Sequence, residues 1–371
     1  MKLPLRLFLI IICAVMIVCL PFLLTSPSML HEAEELFLND VDDEEGETLD
    51  FGRVFLPAAA AEEAEDSLVE TSDIDLEELL NPEALSIPEE WELPVDFSIP
   101  PVPDPDSYSE NGYEDRSIRV HLETMDLQES VVHVARIEIA SASQFRTATV
   151  AGVGSVRTDY MHAIAVPNHA VIAMNGDLFV EQSEGQKKTF EVRMGQIVTY
   201  DGKRNKTNNY KDILTVDRNG DFHLFIKSKG LPDYLKKHKG ETVNAYTFGP
   251  ALVVDGEIPK LDTNYAYNPN GRTSRSAIGQ TGPLSYVFVI VEARGTTGKG
   301  VTHAQLAEIM KGLDCIQAYN LDGGNTAEMI LMGPDPEYPL IHVRGDQAAG
   351  DYRRHSDIIY FATAVPESER E

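Results

Sequence analysis

Residues 119–140 read RVHLETMDLQESVVHVARIEIA. In RVHLETM and VVHVARIEIA apolar residues return at every second position, the period of a strand with one face buried and one in solvent. Strand-like runs continue downstream: HAIAVP, AVIAMNGDLFV, GQIVTYDG, DFHLFIK, YTFGPALVVDGEI, RSAIGQ, LSYVFVIVEAR and SDIIYFATAV. SYVFVIV is apolar throughout, which predicts a strand in a sheet covered on both faces. One helix is well signalled. Thr302 and Gln305 form a capping box, and Leu306, Ile309, Met310 and Leu313 then share a face. A short second helix is expected around PDYLKKH. These features predict a single α+β domain over residues 117–365, a curved, many-stranded mixed sheet with few helices.

Upstream the composition changes. The chain has 371 residues and a formal net charge of −29, and much of the acid lies between His31 and Asp115. NDVDDEEGETLD, AEEAEDSLVETSDIDLEELL and the proline-rich IPEEWELPVDFSIPPVPDPD offer too little apolar surface to offset their ordering entropy. Residues 31–116 are therefore read as an acidic, largely disordered linker. Residues 1–30 contain an uncharged run, Leu7 to Leu24, preceded by Lys2 and Arg6 and long enough for a bilayer. It is read as an uncleaved anchor with the domain outside the cytoplasm; the rival is a cleaved signal peptide, which would release the domain. Cys315 is the only cysteine outside that run, so no internal disulfide is expected. The acidic balance argues against nucleic acid as a partner.

Four stretches place polar groups at the ends of apolar strands. Asn175-Gly176-Asp177 interrupts AVIAMNGDLFV; alone it reads as an ordinary turn, but its apolar flanks would bury an amide and a carboxylate. Arg272 and Arg275 in NGRTSRSAIG suit bidentate recognition of phosphate or carboxylate. VEARGTTGKGVT carries Glu292 and Arg294 at a strand end, then a glycine-rich loop leading into the capped helix. AYNLDGGNTAEMILMG, residues 318–333, stops an apolar strand at Asp322, turns on Gly323 and Gly324, offers Asn325 and Thr326, and resumes. Glu328 reads as a solvent-facing strand position, and His303, the one histidine near these stretches, as a surface residue.

NGDLF, RTSRSAIG, VEARG followed by GVTHAQLAEIM, and NLDGGNTAEM, in that order, resemble the phosphodiester glycosidase family, some bacterial members of which are labelled exopolysaccharide biosynthesis proteins. The resemblance runs from Arg119 to Val365. It implies that Asn175, Asp177, Arg272, Arg275, Arg294, Asp322, Gly323 and Gly324 line the site, and that the tail DYRRHSDIIYFATA brings Arg354 and Asp357 near it. The chain departs from the family at Glu292-Ala293, at Ser274 and at Asn325, which bears on substrate choice. The implied reaction is hydrolysis of a sugar-1-phosphodiester at the anomeric carbon, with Asp322 first and Asp177 second as the catalytic carboxylate. Arg272 and Arg275 would stabilise the departing phosphate. Asp177, Asp322 and backbone carbonyls would also suit Ca2+ or Mg2+; no histidine and cysteine cluster has zinc spacing. A phosphodiesterase cleaving the P–O bond and a non-catalytic module binding glycan phosphates are the alternatives.

Overall fold

The computed structural model describes residues 85–370, apart from 154, 156, 178–189, 201–210, 267, 296–297, 347, 349 and 351. The apolar run Leu7 to Leu24 and the greater part of the acidic stretch lie outside the described residues, among which no helix is long and apolar enough to cross a membrane.

The alternation over 119–140 folds as a long hairpin. Strands Ile118–Leu127 and Ser130–Ile139 pair in antiparallel register from Ile118 opposite Ile139 to Leu127 opposite Ser130. Gln128 and Glu129 between them have φ of 53° and 60°, the left-handed pair that a two-residue hairpin turn requires. The hairpin sits in an eight-stranded sheet with Tyr108–Ser109, Gly112–Glu114, Ser285–Val291, Arg275–Gly282, Gln317–Asn320 and Ala251–Val253. One five-stranded sheet contains Ile341–Arg344, Glu328–Leu331, Ile172–Asn175, Asp357–Phe361 and Phe145–Thr149, in that order. Another contains Phe222–Phe225, Ile213–Asp217, Thr242–Tyr246, Phe190–Arg193 and Gln196–Tyr200. A two-stranded ribbon pairs Arg354–His355 with Asp159–Tyr160.

The expected single mixed sheet is thus replaced by several antiparallel ones. Every pairing between described strands is antiparallel, and the parallel contact seen is an isolated bridge from Ala293 to Asp346. Parallel neighbours need a crossover of roughly a dozen residues or more, commonly a helix, and this chain has few helices. The described α-helices are α1 (Met161–Ala165), α2 (Leu231–Lys237) and α3 (His303–Gly312). Thr302 and Gln305 cap α3 reciprocally: Gln305 N–H donates to the Thr302 hydroxyl at 3.2 Å, and Thr302 N–H donates to Gln305 Oε1 at 3.0 Å.

SYVFVIV is apolar on both sides because both sides are covered. Val287, Val289 and Val291 pack with Leu306, Met310 and Leu313 around α3. Tyr286, Phe288 and Ile290 point the other way, into a core shared with Leu214 and Tyr246 from one five-stranded sheet and Ile172, Met329 and Phe361 from the other. Period two therefore does not imply one wet face in an antiparallel sheet when a helix covers the second. α1 covers the outer face of the sheet that carries Ala173, Ile330 and Tyr360.

Order also begins upstream of residue 117. Gly112–Glu114 pairs with the first long strand, and the guanidinium of Arg146, 1% exposed, donates to the carbonyls of Pro94 (3.0 Å), Asp96 (2.7 Å) and Ser98 (2.9 Å). Residues 85–116 thus belong to the folded unit rather than to a linker. Proline-rich chain without periodicity can still be ordered when its carbonyls satisfy a buried cation.

Candidate active site

The strand Ile172–Asn175 is buried along its length and pairs on one side with Glu328–Leu331 and on the other with Asp357–Phe361. Asn175 lies opposite Ile358, which puts Gly176 beside Asp357. A Cβ at Gly176 would lie 2.6 Å from an Asp357 carboxylate oxygen, so glycine is what allows Asp177 and Asp357 to converge. Asn175 itself is fully buried and acts as a clamp. Its amide donates to the Asp322 carbonyl at 2.8 Å and to Ser276 Oγ at 3.1 Å, and its side-chain oxygen accepts from Glu328 N–H at 3.1 Å.

That clamp explains the interrupted strand at 318–333. The two apolar halves belong to different sheets: Gln317–Asn320 closes on Arg275–Gly282 in the eight-stranded sheet, whereas Glu328–Leu331 pairs with Ile172–Asn175. Asp322 lies in the crossing between them. Its carbonyl also accepts from Ser276 Oγ at 2.8 Å, and Gly324 N–H donates to Ser274 O at 3.0 Å. A Cβ at Gly323 would meet the same Ser274 oxygen at 2.7 Å, and Gly324 has φ of 65°. Both glycines are thus required by the backbone, one for close approach and one for a left-handed conformation.

Asp322 borders a cavity of about 130 Å³ whose wall also includes Asp177, Asp357, Thr326, Arg353 and Arg354. Beneath it lies Arg193, fully buried. The guanidinium donates to Asp177 Oδ1 at 2.5 Å and to Asp357 Oδ2 at 2.9 and 3.1 Å, and lies 3.9 Å from Glu191. The ring of Tyr246 stacks against it at 4.5 Å. Burial alone would weaken its charge, but the surrounding carboxylates win and push the Arg193 pKa up. Thr247 N–H donates to the second Asp177 oxygen at 2.8 Å. An isolated buried ion would be costly; a cation shared by carboxylates with backbone donors is tolerated.

Several residues expected in the site lie elsewhere. Arg272 donates to Gly300 O at 2.8 Å and to Glu129 at 2.8 Å and also bonds Gln128 O, so it ties the hairpin turn to the loop before α3. Arg275 is buried and donates to Asn268 O at 2.7 Å and to Val301 O at 3.2 Å, with His303 Nε2 at 2.9 Å; desolvation lowers its pKa to about 10. Arg294 is mostly exposed and pairs with Asp346 at 3.1 Å, while Glu292 bonds His133 at 2.7 Å. None of these four borders the cavity. Asn325 is exposed, and Thr326 and Arg354 do reach the wall. A charge in a sequence shows where a side chain starts, and these arginines are long enough to end on neighbouring carbonyls.

Other groups gave little or no sequence signal. Arg193 ends a strand in FEVR as many surface arginines do. Arg353 and His355, both at the cavity, follow from the tail only through its pairing with Asp159–Tyr160. Glu328 is 3% exposed rather than solvent-facing: its carboxylate is held by His342 at 2.6 Å and His355 at 2.7 Å. Burial raises its pKa, and the two histidine bonds more than reverse this, leaving it below the usual value. His303 is 2% exposed, under Arg275, not on the surface. The Ca2+ or Mg2+ donor set expected around Asp177 is not assembled, since Asp177 faces Arg193 and Thr247. Among the described residues no group of three or more His, Cys, Asp or Glu could hold a metal ion.

The family model described as phosphodiester glycosidase matches residues 168–362, a span that includes Asn175, Arg193, Asp322 and Asp357. A prophage-derived uncharacterized protein of Bacillus subtilis is 28% identical over 90 residues, which are 24% of this chain and 14% of that protein's length. Among solved structures, the catalytic domain of zebrafish N-acetylglucosamine-1-phosphodiester alpha-N-acetylglucosaminidase, auto-inhibited by its pro-peptide, aligns with a TM-score of 0.49 at 16% identity, covering 71% of this chain and 87% of that one. A hypothetical protein from Synechocystis aligns at 0.44 and 15% identity, over 66% of this chain and 62% of that one.

Proposed function

The chain belongs to the phosphodiester glycosidase family, and from that premise we propose that it hydrolyses a sugar-1-phosphodiester of the N-acetylglucosamine type at its anomeric carbon. The observation that carries this reading is one small cavity bordered by both Asp322 and the arginine pair Arg353 and Arg354. The bond between the anomeric carbon and the phosphate oxygen breaks with its electron pair leaving on the phosphate. A phosphate monoester departs as an anion, so the site needs cations near it more than a strong proton donor. Arg353 and Arg354 take that part, in place of Arg272 and Arg275. The carbon left behind resembles an oxocarbenium ion, which the Asp322 carboxylate stabilises while it attacks directly or activates water. Asp177 and Asp357, held on Arg193, give the floor its shape and its negative field.

In this reading Leu7 to Leu24 anchors the chain in a membrane with the domain on the outer side, and the acidic stretch gives it reach toward envelope or cell-surface glycans joined by phosphodiesters. Incubation of the protein with an N-acetylglucosamine-1-phosphodiester in ¹⁸O-labelled water tests the chemistry. The expected result is label in the sugar product; label in the phosphate would move the activity to P–O cleavage. Asp322→Asn is expected to lower kcat by about 10²–10⁴-fold with an unchanged melting temperature. Near-normal turnover in that variant would remove Asp322 from the mechanism.

A further inference from the structure

The water that attacks in the proposed hydrolysis carries a proton that some group must take. On the cavity wall, the carboxylates other than Asp322 are committed elsewhere. Asp177 accepts from Arg193 at one oxygen and from Thr247 N–H at the other. Asp357 accepts from Arg193 at one oxygen and from the Ser356 hydroxyl, at 3.4 Å, at the other. The histidine on that wall, His355, is bonded differently.

His355 ends the ribbon strand Arg354–His355, where it lies opposite Asp159, and it is buried. Its Nε2 lies 2.7 Å from one oxygen of Glu328, and His342 Nε2 lies 2.6 Å from the other. Burial works against the charge of Glu328, but the two histidine bonds win and hold its pKa below the usual value. Glu328 is therefore ionised at neutral pH and can only accept, so each Nε2 carries a hydrogen. In neutral His355 the lone pair is then on Nδ1, which bonds no other side chain or backbone group among the described residues. A carboxylate behind an imidazole holds one tautomer and stabilises the imidazolium that forms when the outer nitrogen takes a proton. His342 shares the carboxylate but does not border this cavity; its bond secures the second Glu328 oxygen.

We propose that His355 is the general base of this site, that Glu328 positions it, and that Asp322 is thereby left to attack the anomeric carbon directly. The inference rests on the proposed reaction and divides it into two steps. First, an Asp322 oxygen bonds the anomeric carbon while the bond to the phosphate oxygen breaks, its electron pair leaving on the phosphate. That step needs no proton donor. Next, a water oxygen bonds the same carbon and the water's proton passes to His355 Nδ1. The electron pair of the bond between carbon and Asp322 returns to the carboxylate, and His355 gives its proton to solvent.

The test follows both products of an N-acetylglucosamine-1-phosphodiester with the full chain and with His355→Gln, whose side-chain amide still donates to Glu328. The variant is expected to release about one phosphate monoester per protein in a burst, and then to turn over about 10²-fold more slowly than the unmodified protein. Mass spectrometry of the intact variant is expected to show the sugar retained on it. A merely structural role would slow both products alike and retain no sugar. Unchanged turnover in His355→Gln, or slow turnover with neither burst nor retained sugar, overturns the proposal and leaves the reaction standing. Should the unmodified protein release no product, the proposed reaction fails and the base is judged by itself, through ¹⁵N NMR of histidine-labelled full chain. Hydrogen on His355 Nε2 with a bare Nδ1 at neutral pH supports it, and hydrogen on Nδ1 overturns it.

Discussion

His303 and Arg275 illustrate how little a residue's type says about its surroundings. Both come from stretches that read as surface loop and helix start, yet both are buried and bonded to each other at 2.9 Å. Burial, with the Arg275 guanidinium adding to it, pushes the His303 pKa down to about 3 from 6.5. Between those two values the unfolded chain binds a proton that folded His303 refuses. This histidine therefore costs stability as the pH falls from 6.5 toward 3, by up to about 1.4 kcal/mol per pH unit. His303→Gln keeps an acceptor for Arg275 and should flatten the slope of unfolding free energy over that window in urea titrations. An unchanged slope would mean the imidazole charges in the folded state. At this scale the two glycines after Asp322 were legible, because a Gly-Gly pair that interrupts an apolar strand marks a sharp turn or a close backbone approach. Arg193 was not, because its acceptors are 16 and 164 residues away along the chain.

At the scale of elements, period two and the capping box identified the two strands of the long hairpin and α3 directly, since both are local properties of the chain. The stretch over 318–333 was harder. Two apolar halves around a glycine turn describe a hairpin equally well, and only the pairing partners of each half show that the chain passes between sheets here. The crossing is tight, so its glycines matter. Gly323→Ala should push the crossing away from Ser274 O and move Asp322, lowering kcat about tenfold or more and stability by about 1–3 kcal/mol. Thermal melting beside steady-state kinetics measures both; normal kcat in a folded Gly323→Ala protein would show that the crossing tolerates the shift. Glu328 is likewise decided by its neighbouring strands. Its strand has neighbours on both sides, so a charged residue at its start ends up buried, and His342 and His355 meet it from two other strands.

Taken as a whole molecule, the described residues fall in one compact unit, with three sheets meeting on a common core. The upstream segment is part of it. A chain beginning at Leu85 keeps the carbonyls that receive Arg146, whereas one beginning at Asn111 leaves that buried guanidinium short of Pro94, Asp96 and Ser98. The shorter chain should be less stable by about 3 kcal/mol or more, measurable as a lower urea midpoint. Equal midpoints for the two chains would show that water replaces those acceptors without loss.

The sequence by itself determined that this is a strand-rich domain behind an apolar run and an acidic stretch, that it contains one capped helix and one strand apolar on both faces, and that Asp322 sits on a glycine turn. It also carried the family, through the order of four short motifs. Those are features of neighbouring residues, written in periodicity and turn chemistry. The tertiary structure decided which charges share a site: it turned Arg272 and Arg275 toward backbone carbonyls, brought Arg193 beneath Asp177 and Asp357, and set Arg353 and Arg354 on the wall of the cavity that Asp322 borders. The physical reason is that a long charged side chain ends wherever its partner is, and in an antiparallel fold of several sheets that partner is fixed by strand register between segments far apart in the chain.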